Sequence, residues 1–187
     1  MKKILVLIVV GICVATLSGP AAAGRKAPQK VIELAHAKLA KLGADAVIAK
    51  AVKAENAKGK SLTQIKDMDK KWMATPGVAD FMKALIENEC GRRLKEIRNS
   101  APYFEEIFVM DNQGANVCMT GKTSDYWQGD EDKFIKSFNG GRGAVDISDL
   151  KFDDSTQAYI VQVSVPVTSG GKAIGAITFG INPDRMY

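Results

Sequence analysis

Apolar positions follow two different periods in the two halves of the chain. Within 28–58, Val31, Ala35, Leu39, Leu42, Ala46 and Ala49 recur at intervals of three and four, so they share one face of a long helix. Lys30, Glu33, Lys38, Lys41 and Lys53 mostly avoid that stripe. Gly43 weakens its middle by about 1 kcal/mol relative to alanine, so the helix bends there or is two pieces. A narrow Ala-rich face suits close packing, either on the domain itself or on a second copy in a homodimer. A second helix is expected over 61–73, with Ser61 and Gln64 as a capping box and Leu62, Ile65, Met68 and Trp72 as its apolar side. Thr75-Pro76 then reads as the cap and first turn of a third helix over 76–99. That helix would bury Val78, Met82, Leu85, Ile86, Cys90, Leu94 and Ile97. Arg92, Arg93, Lys95 and Arg98 crowd its last turns, where cations suit the helix dipole.

From residue 105 the pattern turns strand-like. Strands are expected at 106–110 and 115–120, joined by the turn Asp111-Asn112-Gln113-Gly114. A short helix follows at 129–138, with Phe134, Ile135 and Phe138 apolar. Further strands are expected at 144–150, 157–168 and 173–181, the last two joined by the tight turn Ser169-Gly170-Gly171-Lys172. The result is a hairpin, a helix-bearing crossover and a three-strand meander. Five antiparallel strands with helices make an α+β domain. One sheet face should pack on the N-terminal helices. The crossover over 120–142 should cover the other, which leaves a natural place for a small ligand.

Composition adds a compartment. The 187 residues are 46% hydrophobic and 25% charged, the proportions of a globular protein. Lys2 and Lys3 precede an uncharged run from Ile4 to Leu17, then Ser18-Gly19-Pro20 and Ala21-Ala22-Ala23. This is the pattern of a cleaved secretory leader over 1–23, too short to span a membrane. Cys13 lies inside the apolar run after bulky Ile12, which argues against lipidation. The leader takes two of the 26 basic residues and none of the 21 acidic ones, so only a mild positive excess remains. Nucleic-acid binding, which favours a concentrated basic stripe, gains no support. The expected organisation is a leader over 1–23, a helical region over 24–100 and a sheet over 101–187, the last two forming one exported, periplasmic domain. Cys90 and Cys118 then remain, either as a disulfide or as two buried thiols.

Several segments together carry a resemblance: the Asp-x-x-Gly hairpin at 111–114, "SDYWQGDE" at 124–131 and "VPVTSGGKAIGAI" at 165–177, preceded by a long helix. Over roughly residues 26–185 the chain resembles a periplasmic Cache domain, the PAS-like sensor module also called a PDC sensor domain. The resemblance implies recognition of a small molecule between the sheet and the crossover, with amino acids, organic acids and amines among the ligand classes. Such modules usually belong to receptors, kinases and cyclic-nucleotide enzymes. This chain stops at Tyr187, so the expectation is a free-standing module whose output is carried by a membrane receptor or kinase partner. The rival expectation is an interaction or dimerisation module with a vestigial pocket.

Within the expected pocket, Asp125, Tyr126, Trp127 and Gln128 are the first ligand candidates, because adjacent aromatics on a polar crossover can close over a ligand or hold a cation. Tyr159 on the fourth strand, Arg142 as a carboxylate clamp and Asp146 as an amine partner complete the set. The run Asp130-Glu131-Asp132 lacks the spacing of a calcium loop, and acids at a helix start already suit its dipole. No metal or cofactor is expected. Nor is catalysis: the sole histidine, His36, lies far from both cysteines, and no phosphate loop or nucleophile elbow is present.

Overall fold

A computed structural model describes residues 25–154 and 156–186. The leader, its cleavage after Ala23, and Cys13 lie outside the described residues. Among the described residues, no helix is long and apolar enough to cross a membrane.

The first helix breaks where Gly43 stands. Gln29–Leu34 (α1) runs into a π-helical stretch, Ala35–Leu39, and a last turn, Ala40–Leu42 (α2). Thr168 donates its N–H to the Gly43 carbonyl at 2.8 Å, and a β-carbon at Gly43 would come within 2.0 Å of the Pro166 oxygen. The break is a point of backbone contact with the sheet. Asp45 then caps Ala46–Asn56 (α3) by accepting from the N–H groups of Val47 and Ile48. Val31, Ala35 and Leu39 are fully buried inside the domain. The first half of the stripe is therefore used for packing inside the domain, while Leu42 and Ala49 are half-buried and Ala46 is exposed.

Ser61 and Gln64 form the reciprocal capping box that starts Leu62–Ala74 (α4). The third helix departs from expectation. Thr75 ends α4 in an extended conformation, and Pro76 stands in a loop where Gly77 adopts a positive φ of 66°. The helix starts only at Asp80. It is also split, into Asp80–Glu87 (α5) and Glu89–Asn99 (α6), because Asn88 is extended and its side chain accepts from the Gly91 N–H. An Asn that caps the next helix interrupts an apolar pattern that itself runs on unbroken.

The strands are Phe104–Met110 (β1), Asn116–Met119 (β2), Asp146–Ile147 (β3), Lys151–Asp153 (β4), Ala158–Ser169 (β5) and Lys172–Ile181 (β6), with helix Asp132–Phe138 (α7) in the crossover. All pairings are antiparallel. The order is β2-β1-β6-β5-β3, and β4 also pairs with β5. The fold is α+β as expected, with six strands among the described residues rather than five. The third expected strand, 144–150, is divided: Ser148 bonds Gln162 through both its backbone and its hydroxyl, and Leu150 turns to pair with Arg25.

Alternation along β1 sorts the core into two layers. Ile107 and Val109 join Val161, Val163, Val165, Ile177 and Phe179 against the N-terminal helices. Phe108 and Met110 face the other way, toward Ile65, Trp72, Met82, Tyr126 and Phe134. The sulfurs of Cys90 on α6 and Cys118 on β2 are bonded, with their α-carbons 5.8 Å apart. The helical region and the sheet thus share one core.

Candidate functional site: a buried polar chamber under the crossover

The crossover is held down by α4. Asp69 Oδ1 accepts the N–H groups of Tyr126 at 2.8 Å and Trp127 at 3.0 Å. The Trp72 indole donates to the Thr123 carbonyl at 2.8 Å. The segment returns to bridge Ala115 with Trp127, and Asn116 donates its backbone N–H to the Tyr126 carbonyl. A carboxylate and an indole on one helix face therefore fix the polar segment 123–128 above the sheet.

Beneath it lies a small chamber of about 20 Å³. That is room for one water-sized group. Glu106 and Phe108 of β1 and Gln162 of β5 supply its sheet side. Thr123, Ser124 and Gln128 supply the crossover, with Lys133 from α7 and Asp153 from β4. Glu106 projects there because it shares the face of Phe108 and Met110. Opposite it on β6 is Gly180, where a β-carbon would come within 2.6 Å of the Glu106 side chain.

The Gln128 side chain is 1% exposed. Its Nε2 donates to the Asp125 carbonyl at 2.9 Å, and its Oε1 has no protein partner. Turning the amide over would set two carbonyl oxygens together, so this bond fixes which atom is left over. A buried acceptor without a donor costs about 1–3 kcal/mol. Lys133 is mostly buried, bonded to Glu131 at 2.9 Å, and its ammonium lies 5.3 Å from the Phe108 ring centre.

Burial pushes the Glu106 carboxyl up to about 7, helped by the Asp153 carboxylate and opposed by Lys133 and the Gln162 amide. The folded state then holds a proton that the unfolded chain has released, so stability falls as pH rises. Glu106 contributes fully below about pH 4.5 and its contribution is lost through pH 7, a change of about 3 kcal/mol. Glu106→Gln keeps the shape of the protonated acid and should remove most of this slope. Urea melts of both proteins at pH 5 and pH 8 measure it; equal slopes would refute the assignment.

The expected site residues are distributed over different surroundings. Tyr126 is buried: its ring packs 5.7 Å from Trp72 and its hydroxyl accepts from Lys60 at 2.7 Å. Burial works to lower the Lys60 ammonium, but Glu55 and the Tyr126 hydroxyl outweigh it and raise it. Trp127 and Asp125 line an outer cleft of about 570 Å³. The Trp127 indole donates to the Gln113 carbonyl at 2.8 Å, and Lys66 lies over its ring at 4.6 Å. Asp146 lines a second cleft of about 400 Å³ that shares Lys133 and Gln162 with the chamber. Arg142 is exposed and bonds Asn139. Tyr159 is 53% exposed and packs on Phe152. Neither Arg142 nor Tyr159 lines the chamber or either cleft. Among the described residues, no cluster of His, Cys, Asp or Glu has the makings of a metal site.

Glu106 and Lys133 were not singled out by sequence reasoning. Glu106 alternates with Phe108 and Met110 on a face that proves as buried as the other, and that alternation was the available signal.

The sequence matches no family model and no curated protein. Among solved structures it is similar to the sensor domain of the V. cholerae histidine kinase DctB, at 13% identity and a TM-score of 0.46 over 82% of this chain and 49% of that one. It is similar to the sensory domain of the Campylobacter jejuni chemoreceptor Tlp3, at 16% identity and 0.44 over 80% and 63%. It is also similar to the Tlp3 ligand-binding domain in complex with 4-methylisoleucine, at 18% identity and 0.43 over 81% and 60%. The chain covers less than two thirds of the length of each of these structures.

Proposed function

We propose that this chain is an exported sensor module of the Cache type. It binds a small metabolite between the sheet and the crossover and passes the signal through a membrane receptor or kinase partner. The observation that carries this reading is the Gln128 Oε1 atom, buried and unpaired in a polar chamber on the sheet face under the crossover. A vestigial pocket would be filled by apolar side chains, whereas this one keeps two carboxylates, an ammonium, two amides and two hydroxyls. The chamber receives one functional group of a ligand, and the adjoining cleft takes its body. The reading assigns the chain no catalytic step.

Thermal unfolding of the exported protein against amino acids, carboxylates and amines tests it. A ligand at 100-fold its dissociation constant adds about 2.7 kcal/mol. For a domain of this size that raises the midpoint by roughly 5–11 °C. A hit lost in Gln128→Leu supports the chamber, and a hit lost only in Trp127→Ala moves the site to the outer cleft. Silence across all three classes, with concentration-dependent self-association, favours the interaction-module reading. The groove beside α1, lined by Leu34, Leu39, Leu42 and Ile97, is where that reading would place a partner.

A further inference from the structure

The groove between α1 and α6 belongs to the core layer on the far side of the sheet from the crossover. It offers about 360 Å³, within the range of small-molecule pockets. Its floor is Leu34, Leu39, Ile97 and Phe104, each at most 9% exposed, with half-buried Leu42 beside them. Part of its wall is the π-helical stretch Ala35–Leu39, a form frequently found at functional sites. Recessed apolar surface accepts a slender chain more readily than a flat partner or a bilayer, which need side chains that protrude. Among the described residues, none of the large exposed apolar side chains lines this groove.

The groove adjoins a second space of about 550 Å³, and Ser100 and Phe104 line both. Arg98 and Arg185 line this mouth, and among the described residues no carboxylate does. Arg98 Nε donates to the Glu105 carbonyl at 2.9 Å, and Arg185 pairs with the Glu105 carboxylate at 3.2 Å, so one residue steadies two exposed guanidinium groups. Across groove and mouth, Lys38, Arg93, Arg98 and Arg185 face a single lining carboxylate, Glu96. Arg93 is already bonded to Asp45 and Glu96. The carbonyl end of α6 works against an anion here, but the Ser100 N–H and hydroxyl both bond the Ile97 carbonyl. We propose that this groove is a second ligand site, for a single-chain anionic amphiphile. Its alkyl chain lies over Leu34, Leu39 and Ile97, and its anionic head sits at the mouth with Arg98 and Arg185. The site is separate from the chamber and does not rest on the sensor reading.

The test is calorimetric titration of the purified protein with decyl sulfate, decyltrimethylammonium and decanol, each below its micelle concentration. Decyl sulfate is expected to bind at a single site, at least about tenfold more tightly than the cation. From hexyl to octyl to decyl sulfate, each added pair of methylenes should tighten binding roughly 10- to 15-fold. Arg98→Gln with Arg185→Gln should weaken decyl sulfate about tenfold and leave decanol unchanged. Leu42→Glu should weaken both, and Gln128→Leu neither. Urea melts check that each variant folds, and the arginine pair, being exposed, keeps the test open if Leu42→Glu does not. A larger loss from Lys38→Gln than from the arginine pair would overturn the seat of the head. Binding of many molecules per chain, untouched by Leu42→Glu, is surfactant adsorption and would overturn the site. So would sedimentation with phosphatidylglycerol vesicles that the arginine variant abolishes, with no gain from chain length, since that assigns the arginines to a bilayer surface.

Discussion

Trp72→Ala is expected to cost about 3–5 kcal/mol, the range for deleting a large aromatic from a core. Trp72 is 0% exposed, and it stands between Phe81, at 6.0 Å and nearly edge-on, and Tyr126 at 5.7 Å. Its indole N–H is the bond from α4 to the Thr123 carbonyl. The substitution therefore leaves a cavity, strands a buried carbonyl and frees one end of the crossover. The thermal midpoint should fall by roughly 6–20 °C. Trp72→Phe separates the two contributions. It keeps much of the packing and loses the hydrogen bond, for about 1–3 kcal/mol. Hydrogen exchange should then show the amides of 123–128 opening before the sheet does. If Trp72→Ala melts within a degree or two of the parent, the crossover is not held in this way.

Reduction of the Cys90–Cys118 bond comes next in size. It closes a loop with a sequence separation of 28. Chain-entropy reasoning gives roughly 3–4 kcal/mol for a loop of that length. Cys90→Ala with Cys118→Ala should show this loss in denaturant melts carried out without reductant. Reductant should shift the parent protein to the same midpoint and leave the double variant unmoved. A double variant as stable as the parent would mean that the two thiols are not joined in the protein in solution. The bond fixes α6 to β2, the strand whose leading residue, Asn116, anchors the crossover at Tyr126. Its loss should therefore also loosen the chamber.

What was legible in the sequence was periodic or local. The strands β5 and β6 announce themselves through alternation and a Gly-rich turn. Ser61 with Gln64, and the turn at 111–114, rest on contacts within a few residues: Asp111 Oδ1 accepts the N–H groups of Gln113 and Ala115. The failures have the opposite character. Asn88 looks like a surface residue of one long helix until its side chain is seen capping the next. Pro76 carries a helix-start signal, yet Gly77 takes the chain elsewhere. The candidate site divides along the same line. The 124–128 segment stood out for its aromatic and polar residues, and it does lie over the sheet. Glu106 reads only as the polar edge of a strand, because its burial depends on Gly180 and Gln162, more than fifty residues away. Arg142 and Tyr159 drew notice by residue type, and type says nothing about which cavity a side chain meets.

The strand order has a consequence for how the chain is made. β6, the last strand in sequence, lies between β1 and β5 at the centre of the sheet. Until it emerges, β1 has only the four-residue β2 beside it, and β5 has only short β3 and β4. A nascent chain is therefore held open by its own topology, with two hydrophobic edges awaiting one late strand. That delay leaves the edges of β1 and β5 as the places where helper proteins would have most to protect.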